Sequence, residues 1–511
     1  MRRRKALALL SALALLTGCA TSSLDLAPSA PNVPWTPPTN SAGAILAGKP
    51  AAASAPKSDG YVLPANATAA GELAPSADLE KSHPYTLAEL IDVAQSHDPS
   101  TRAAWESARD AALATGIAKT AYLPSLSASV VGAYQTGNNN LTVSGTHGSL
   151  NGSAQGVISA LSLQWLLFDF GERDANVSAA EQLSVIANIG FTAAHQQLIY
   201  RVALAYYTHM AAQARVATAD KALRNAQEVQ EAAEARYAHG VGTVVEVAQA
   251  RQGTAQGQLA QVQANGQAQD TYVALLAAMG ISPLTRITFA DLGQRKLSSA
   301  LNGPIERIVT EALARRPDVL TAYAAHEASL ARLKAAQAEF MPKFFLSATG
   351  SYTSNTLDVT TLPGIGQALP TFNVPGTHYG ATVLLGVTVP IYDGGLRRAL
   401  EGQARAGAAR TDASLEEVRD EATREIVAAA NRVRTSLSAL DAANALAGAS
   451  QTTFDAALDA YRNGIGAITD ATRAETALLE ARNSSTDAYS VVLSSAATLA
   501  LAAGTLGAAP E

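Results

Sequence analysis

The sequence predicts an α+β membrane protein built twice on one plan, with two β-hairpins per chain set against exceptionally long helices. Three observations predict it. An aromatic-Asp-x-Gly step occurs twice, at Phe168-Asp169-Phe170-Gly171 and at Tyr392-Asp393-Gly394-Gly395. Each step opens a Pro-free, Ala-, Glu-, Gln- and Arg-rich stretch that closes on Tyr-x-x-Gly-[Val/Ile]-Gly, at Tyr237–Gly242 and Tyr461–Gly466. From the aspartate to the first turn glycine is 71 residues in both copies, roughly 105 Å as a helix. Ahead of each step, Pro99 to Pro124 and Pro317 to Pro342 both span 25 residues, and after the second proline the apolar period changes from helical to alternating.

Composition agrees with long, closely packed helices. Hydrophobic residues make up 48 % of the 511 but aromatics only 5 %, so Ala, Leu and Val must build the core. Formal net charge is −6, and without Arg2, Arg3, Arg4 and Lys5 the chain carries 33 basic against 43 acidic residues, or −10. No basic face exists for nucleic acid.

Residues 1–18 read as a signal peptide: a basic start, then an apolar run from Ala6 to Leu16 too short to span a membrane. Leu16-Thr17-Gly18-Cys19 is similar to a bacterial lipobox, with Cys19 as the lipidated residue. It is the only cysteine, which excludes disulfides within the chain. Residue 20 is Ala rather than Asp, which points to the outer membrane. Residues 19–83, rich in Pro, Ala, Ser and Gly, form an extended arm that cannot bury enough apolar surface to fold alone. Trp35 and Tyr61 are its candidate pins.

The first repeat covers 84–282. Thr86 and Glu89 make a capping box, with Leu87, Leu90, Ile91 and Ala94 at helical spacing behind it. Pro99 opens a helix to about Tyr122. A β-hairpin over 124–168 follows, in which Leu126, Ala128, Val130 and Tyr134 alternate with Ser125, Ser127, Ser129 and Gln135 around a polar loop at 136–156. The long helix takes 170–239 and a return helix 244–279. Residues 283–303 are an irregular connector. The second repeat, 304–505, has its hairpin at 342–392 with a loop at 354–380, its long helix at 395–463 and its return helix at 468–501; 506–511 is a tail. The repeat offset is 218 at the prolines and 224 at the aspartates and glycines, so six extra residues fall between the second pair of strands. Insertions collect in exposed loops. Asp169 and Asp393 are expected as helix N-caps at the strand-to-helix junctions.

Apolar-out, polar-in strands of about ten residues are the pattern of a transmembrane β-barrel. Four strands cannot close one, and open edges in lipid leave unpaired backbone groups. Three copies supply twelve strands, and the same symmetry assembles the helices into a hollow cylinder.

The doubled helix–hairpin–helix order, the two Tyr-x-x-Gly turns and the lipobox resemble the TolC family of bacterial outer-membrane efflux proteins, in its lipidated, OprM-like branch, over about residues 84–505. The resemblance implies a homotrimer with a 12-stranded outer-membrane β-barrel continuous with a long periplasmic α-helical barrel. It also implies a periplasmic adaptor and an inner-membrane pump of the RND type as partners. The chain would be a passive exit duct for drugs or other small solutes, anchored in outer-membrane lipid, with no cofactor. No catalytic motif is present: His-Glu-x-x-His, the phosphate loop and Gly-x-Ser-x-Gly are all absent, and His326-Glu327 reads as a helix-surface pair.

The turns are the candidate functional residues. Gly240-Val241-Gly242 and Gly464-Ile465-Gly466 end the long helices where a left-handed residue is cheap only for glycine. The resemblance implies that these tips mesh with the adaptor. Glu246 and Asp470, six residues past Gly240 and Gly464, match acidic positions lining the family's periplasmic entrance. Tyr461 matches a tyrosine that helps hold that entrance shut. Arg473 departs from the pattern: TolC itself carries a second aspartate there, and Asp470 and Arg473 are helix neighbours able to pair. The acids also suit a helix first turn on dipole grounds alone. Two alternatives stay open: the duct of a type I protein-secretion system, and a lipid-anchored periplasmic coiled-coil scaffold.

Overall fold

The computed structural model describes residues 83–143, 146–290, 305–354 and 379–507, with scattered positions between 26 and 80. The chain divides into two units, 1–79 and 80–511. In the first, Thr39 and Ile45 form an isolated antiparallel bridge, and the Asn40 carboxamide accepts the Ala44 amide at 2.9 Å. Trp35 is exposed. The signal peptide, Cys19 and Tyr61 lie outside the described residues.

The second unit begins with β1 (Pro84–Tyr85), α1 (Leu87–His97) and α2 (Pro99–Lys119). Thr86 and Glu89 close the capping box on α1, and a 3₁₀ turn carries the chain from Thr120 to Tyr122. The first hairpin is β2 (Ser125–Val143) with β3 (Thr146–Phe168). Next come α3 (Glu172–Ala238), α4 (Val244–Ala278) and β4 (Thr288–Phe289). The second repeat follows as α5 (Ile305–Leu313), α6 (Pro317–Ala338), β5 (Lys343–Ser354), β6 (Tyr379–Thr388), α7 (Leu396–Arg462) and α8 (Ile468–Ala502). Both long helices have 67 residues, about 100 Å each. Their buried positions are largely small, as at Ala212, Ala219, Ala222, Ala226 and Ala233 of α3, which lets helix axes approach closely.

The four long strands form one antiparallel sheet in the order β2-β3-β5-β6, so the two hairpins join through β3 and β5. Directly opposed residues share a face. Pairs Leu126↔Leu163, Ala128↔Leu161, Ala348↔Val383 and Leu346↔Leu385 make one face apolar; Ser127↔Ser162 and Thr349↔Thr382 make the other polar. The apolar face is open, with Val130 at 73 %, Val383 at 70 % and Leu385 at 74 % exposure.

Three sequence expectations are corrected. The polar loop expected at 136–156 is instead ladder, paired from Ser125↔Gln164 out to Val143↔Thr146. Pairing uses backbone groups, so Asn, Ser and Gly do not stop it, and this segment holds no Pro. The second loop holds Pro363, Pro370 and Pro375 and lies between β5 and β6, with 355–378 outside the described residues. The connector is not wholly irregular: β4 pairs in parallel with β1, and the Tyr206 hydroxyl donates to the Ala290 carbonyl at 2.9 Å. Asp169 and Asp393 are not the N-cap residues themselves. Gly171 and Gly395 hold those positions in left-handed conformation, because the chain leaves the strands through Phe170 (φ 55°) and Gly394 (φ 71°). The carboxylates still take first-turn amides, Asp169 from Arg173 at 2.9 Å and Asp393 from Arg397 at 3.0 Å. The Arg397 and Gly395 amides, with the Arg397 guanidinium, hold the Asp393 carboxyl below the usual carboxylate range.

Candidate functional site at the paired helical turns

Both long helices end the same way. Gly240 (φ 73°) and Gly464 (φ 77°) take the left-handed turn position. The amides of Val241 and Gly242 both donate to the Arg236 carbonyl at 3.0 Å, and those of Ile465 and Gly466 to the Ala460 carbonyl at 3.0 Å. Gly242 and Gly466 are needed for space: a Cβ would lie 2.8 Å from the Tyr237 amide nitrogen and 2.9 Å from the Ala460 Cβ. Val241 and Ile465, between the glycines, are 64 % and 85 % exposed. The turns therefore present an apolar side chain on a backbone too tight to accept any other residue at the second glycine.

The four helix ends share one core of Val229, Ala233, Val247, Ala250, Phe454, Leu458, Tyr461, Ile468, Ala471, Ala474 and Leu478. The two turns are tied across it. Arg236 of α3 donates to the Tyr461 carbonyl at 3.2 Å and the Val241 carbonyl at 3.3 Å, and its guanidinium lies 5.1 Å from the centre of the Tyr461 ring. In return Arg462 of α7 pairs with Glu228 of α3 at 3.0 Å. Between the turns lies an open groove of about 740 Å³, lined by Glu228, Ala232, Arg236, His239, Arg462 and Asn463 among others.

The sequence-predicted gate residues fall into different settings. Tyr461 is fully buried and its hydroxyl has no hydrogen-bond partner. Burial, then the nearby Glu246 carboxylate, raises the phenol above its usual pKa. Glu246 is engaged at home: it accepts the Thr243 amide at 3.2 Å while Thr243 Oγ1 accepts the Glu246 amide at 3.2 Å. Asp470 sits free of such duty in the first turn of α8, with Arg473 at 3.9 Å and both side chains mostly exposed. That pair is at the outer limit of an ion pair and adds little.

Sequence reasoning missed Arg236, Glu228, Arg462 and Glu475. Arg236 and Arg462 occupy positions whose repeat counterparts are Ala460 and Ala238, so a copy-against-copy comparison marks them as unshared. It cannot say which way they face. Glu475 is half-buried, and burial alone pushes its carboxyl up to about 7. Among the described residues no cluster of metal-ligating side chains occurs, and no helix is long and apolar enough to cross a membrane.

A four-stranded sheet with one open apolar face is joined to paired helices of about 100 Å. The chain belongs to the outer membrane efflux protein family, which it matches over residues 90–281 and 308–505, once per repeat. Protein CyaE of Bordetella pertussis is 25 % identical over 421 residues, 82 % of this chain and 84 % of that protein. The pyoverdine export outer membrane protein OpmQ of Pseudomonas aeruginosa is 26 % identical over 356 residues, 70 % of each chain. The fold is shared with the crystal structure of the outer membrane protein VceC of Vibrio cholerae: TM-score 0.69 at 21 % identity, over 82 % of this chain and 96 % of that one.

Proposed function

We propose that three copies of the chain form the outer-membrane exit duct of a tripartite efflux system. It conducts drugs or other small solutes passively from an inner-membrane pump of the RND type through a periplasmic adaptor. The observation that carries this reading is the sheet: apolar and exposed on one face, hydroxyl-lined on the other, and ending in the unpaired edges of β2 and β6. In lipid those edges need partners, and edge-to-edge closure of three sheets supplies them. The open apolar face argues against a periplasmic scaffold.

The repeats themselves support assembly. Positions 113 and 117 of α2 correspond to 331 and 335 of α6 by the 218-residue offset. Ala331 and Ala335 are buried at 6 % and 7 % where α6 lies between α3 and α7, whereas Leu113 and Ile117 are 67 % and 71 % exposed. The face of α2 that its twin buries is apolar and waits for the long helix of a neighbouring copy.

In this reading Cys19 carries the lipid anchor, Gly240–Gly242 and Gly464–Gly466 meet the adaptor, and Glu246, Tyr461, Asp470 and Arg473 belong to the periplasmic gate, with Arg236 and the Arg462–Glu228 pair holding its two halves together. Deleting the chain from its host and restoring it tests the duct. The expected result is retention of small toxic solutes, cured by wild type. Loss of a secreted protein from the medium, with no solute retained, would favour the type I secretion alternative. Leu113→Asp with Ile117→Asp should leave monomers in detergent where the wild type cross-links as trimers.

A further inference from the structure

Positions 98 and 316 are the same place in the two repeats, the residue before the helix-opening proline. Asp98 is 7 % exposed, pairs with Arg201 of α3 at 3.0 Å, and accepts the Ser100 amide at 2.6 Å. Arg316 is also 7 % exposed and pairs with Glu425 of α7 at 2.6 Å. It further holds Asp318 at 2.6 Å and donates to the Ala502 carbonyl at 3.1 Å. Arg201 and Glu425 are themselves 224 residues apart, the offset of the long helices. One ion pair therefore occurs twice with its signs exchanged. In both versions the short-helix member is buried, and the long-helix member is half exposed, 47 % for Arg201 and 48 % for Glu425.

The exchange has a consequence for pairing. α6 packs against α3 as well as α7, so the short helix of the second repeat has both long helices within reach. If both pairs had the same polarity, either short helix would satisfy either long helix. With the signs exchanged, a wrong match sets Asp98 against Glu425 or Arg316 against Arg201, leaving a buried charge beside a like charge and without its partner. Discrimination then comes from a repulsive element added to an attractive one. We propose that the sign-exchanged pair is the key that assigns each short helix to the long helix of its own repeat. Both pairs lie within one chain, so the proposal stands apart from the channel's cargo and partners.

The test gives both repeats one polarity, with Arg316→Asp and Glu425→Arg in the full chain. Asp before a helix-opening proline is what the first repeat already uses, and Asp318→Ser is made alongside, the residue the first repeat carries at 100, so that the carboxylate Arg316 held is not left beside a like charge. Refolding from denaturant into detergent is followed by protease resistance, and the folded fraction is then melted. The expected result is a loss of about five-fold in folded yield, with the midpoint of the folded fraction within about 2 °C of wild type. Unchanged yield overturns the key, leaving two local staples. A midpoint that falls together with the yield overturns it too, since the pair would then act through stability alone. Should the variant give no folded protein, adding Asp98→Arg and Arg201→Glu, which restores opposite polarities, must recover folding; failure to recover overturns the proposal.

Discussion

Tyr237 and Tyr461 occupy the same place in the two repeats, yet the first is 50 % exposed and the second 1 %. The turns that follow them are alike in backbone, down to the paired amides on one carbonyl. The return helices are not. α4 starts with a capping box between Thr243 and Glu246, whereas α8 starts at Ala467 with no side-chain cap. Arg251 pairs with Glu234 at 3.0 Å in the first tip. Their counterparts in the second are Glu475 and the buried Leu458, so the carboxyl there has no partner of opposite charge. The first tip is held by its own polar groups. The second is held by burying an aromatic ring in a shared core under Arg236. A duplicated motif has thus kept its shape and divided its energetics, leaving the second tip dependent on its neighbour.

The largest expected break of this asymmetry is Tyr461→Ala. Emptying the buried ring site should cost about 3–5 kcal/mol in local opening, read by hydrogen exchange of the tip amides. Tyr237→Ala should stay within about 0.5 kcal/mol. Equal losses would mean the two tips are energetically equivalent after all.

pH separates the tips next. The Glu475 carboxyl is raised from 4.5 to about 7 by burial, so the folded tip favours its protonated form. Its contribution is fully present below pH 4.5 and is lost as pH rises through about 7. Exchange at the second tip should therefore quicken between those limits, and Glu475→Gln should flatten the profile.

Capping gives a smaller effect. Thr243→Ala should weaken the first tip by about 1 kcal/mol, and Ala467→Ser should strengthen the second by a similar or lesser amount, both by the same exchange measurement. The smallest change is expected at the exposed 3.9 Å pair: Arg473→Ala should leave tip stability unaltered within error. In the gate reading it should still alter cation block of single-channel current, because it unmasks Asp470. Unchanged block would remove both residues from the constriction.

The repeat, the glycine turns and the two long helices, read as 170–239 and 395–463 and observed as Glu172–Ala238 and Leu396–Arg462, were legible in the sequence. Proline spacing, glycine pairs and the change of period are local signals. The corrections came where local signals are silent. A polar hairpin segment stayed in its ladder because pairing ignores side-chain polarity. The aspartates at the junctions acted two residues before the N-cap glycines because the left-handed exits at Phe170 and Gly394 displaced the helix starts. Within the site, Glu246 and Asp470 looked equivalent by position, and only the neighbouring Thr243 and Ala467 distinguish them. Arg236 and Glu475 were invisible for a different reason. On a helix of alanines the chain does not record which side meets the other hairpin.

By itself, then, the sequence determined the duplicated plan, the helix lengths, the strand alternation and the glycine turns, because each depends on residues close together in the chain. The tertiary structure alone decided that β3 joins β5, that Tyr461 is buried while Tyr237 is not, and that Arg236 and Arg462 cross between tips. Those contacts join residues up to 234 apart, and they exist only once the two repeats are packed side by side.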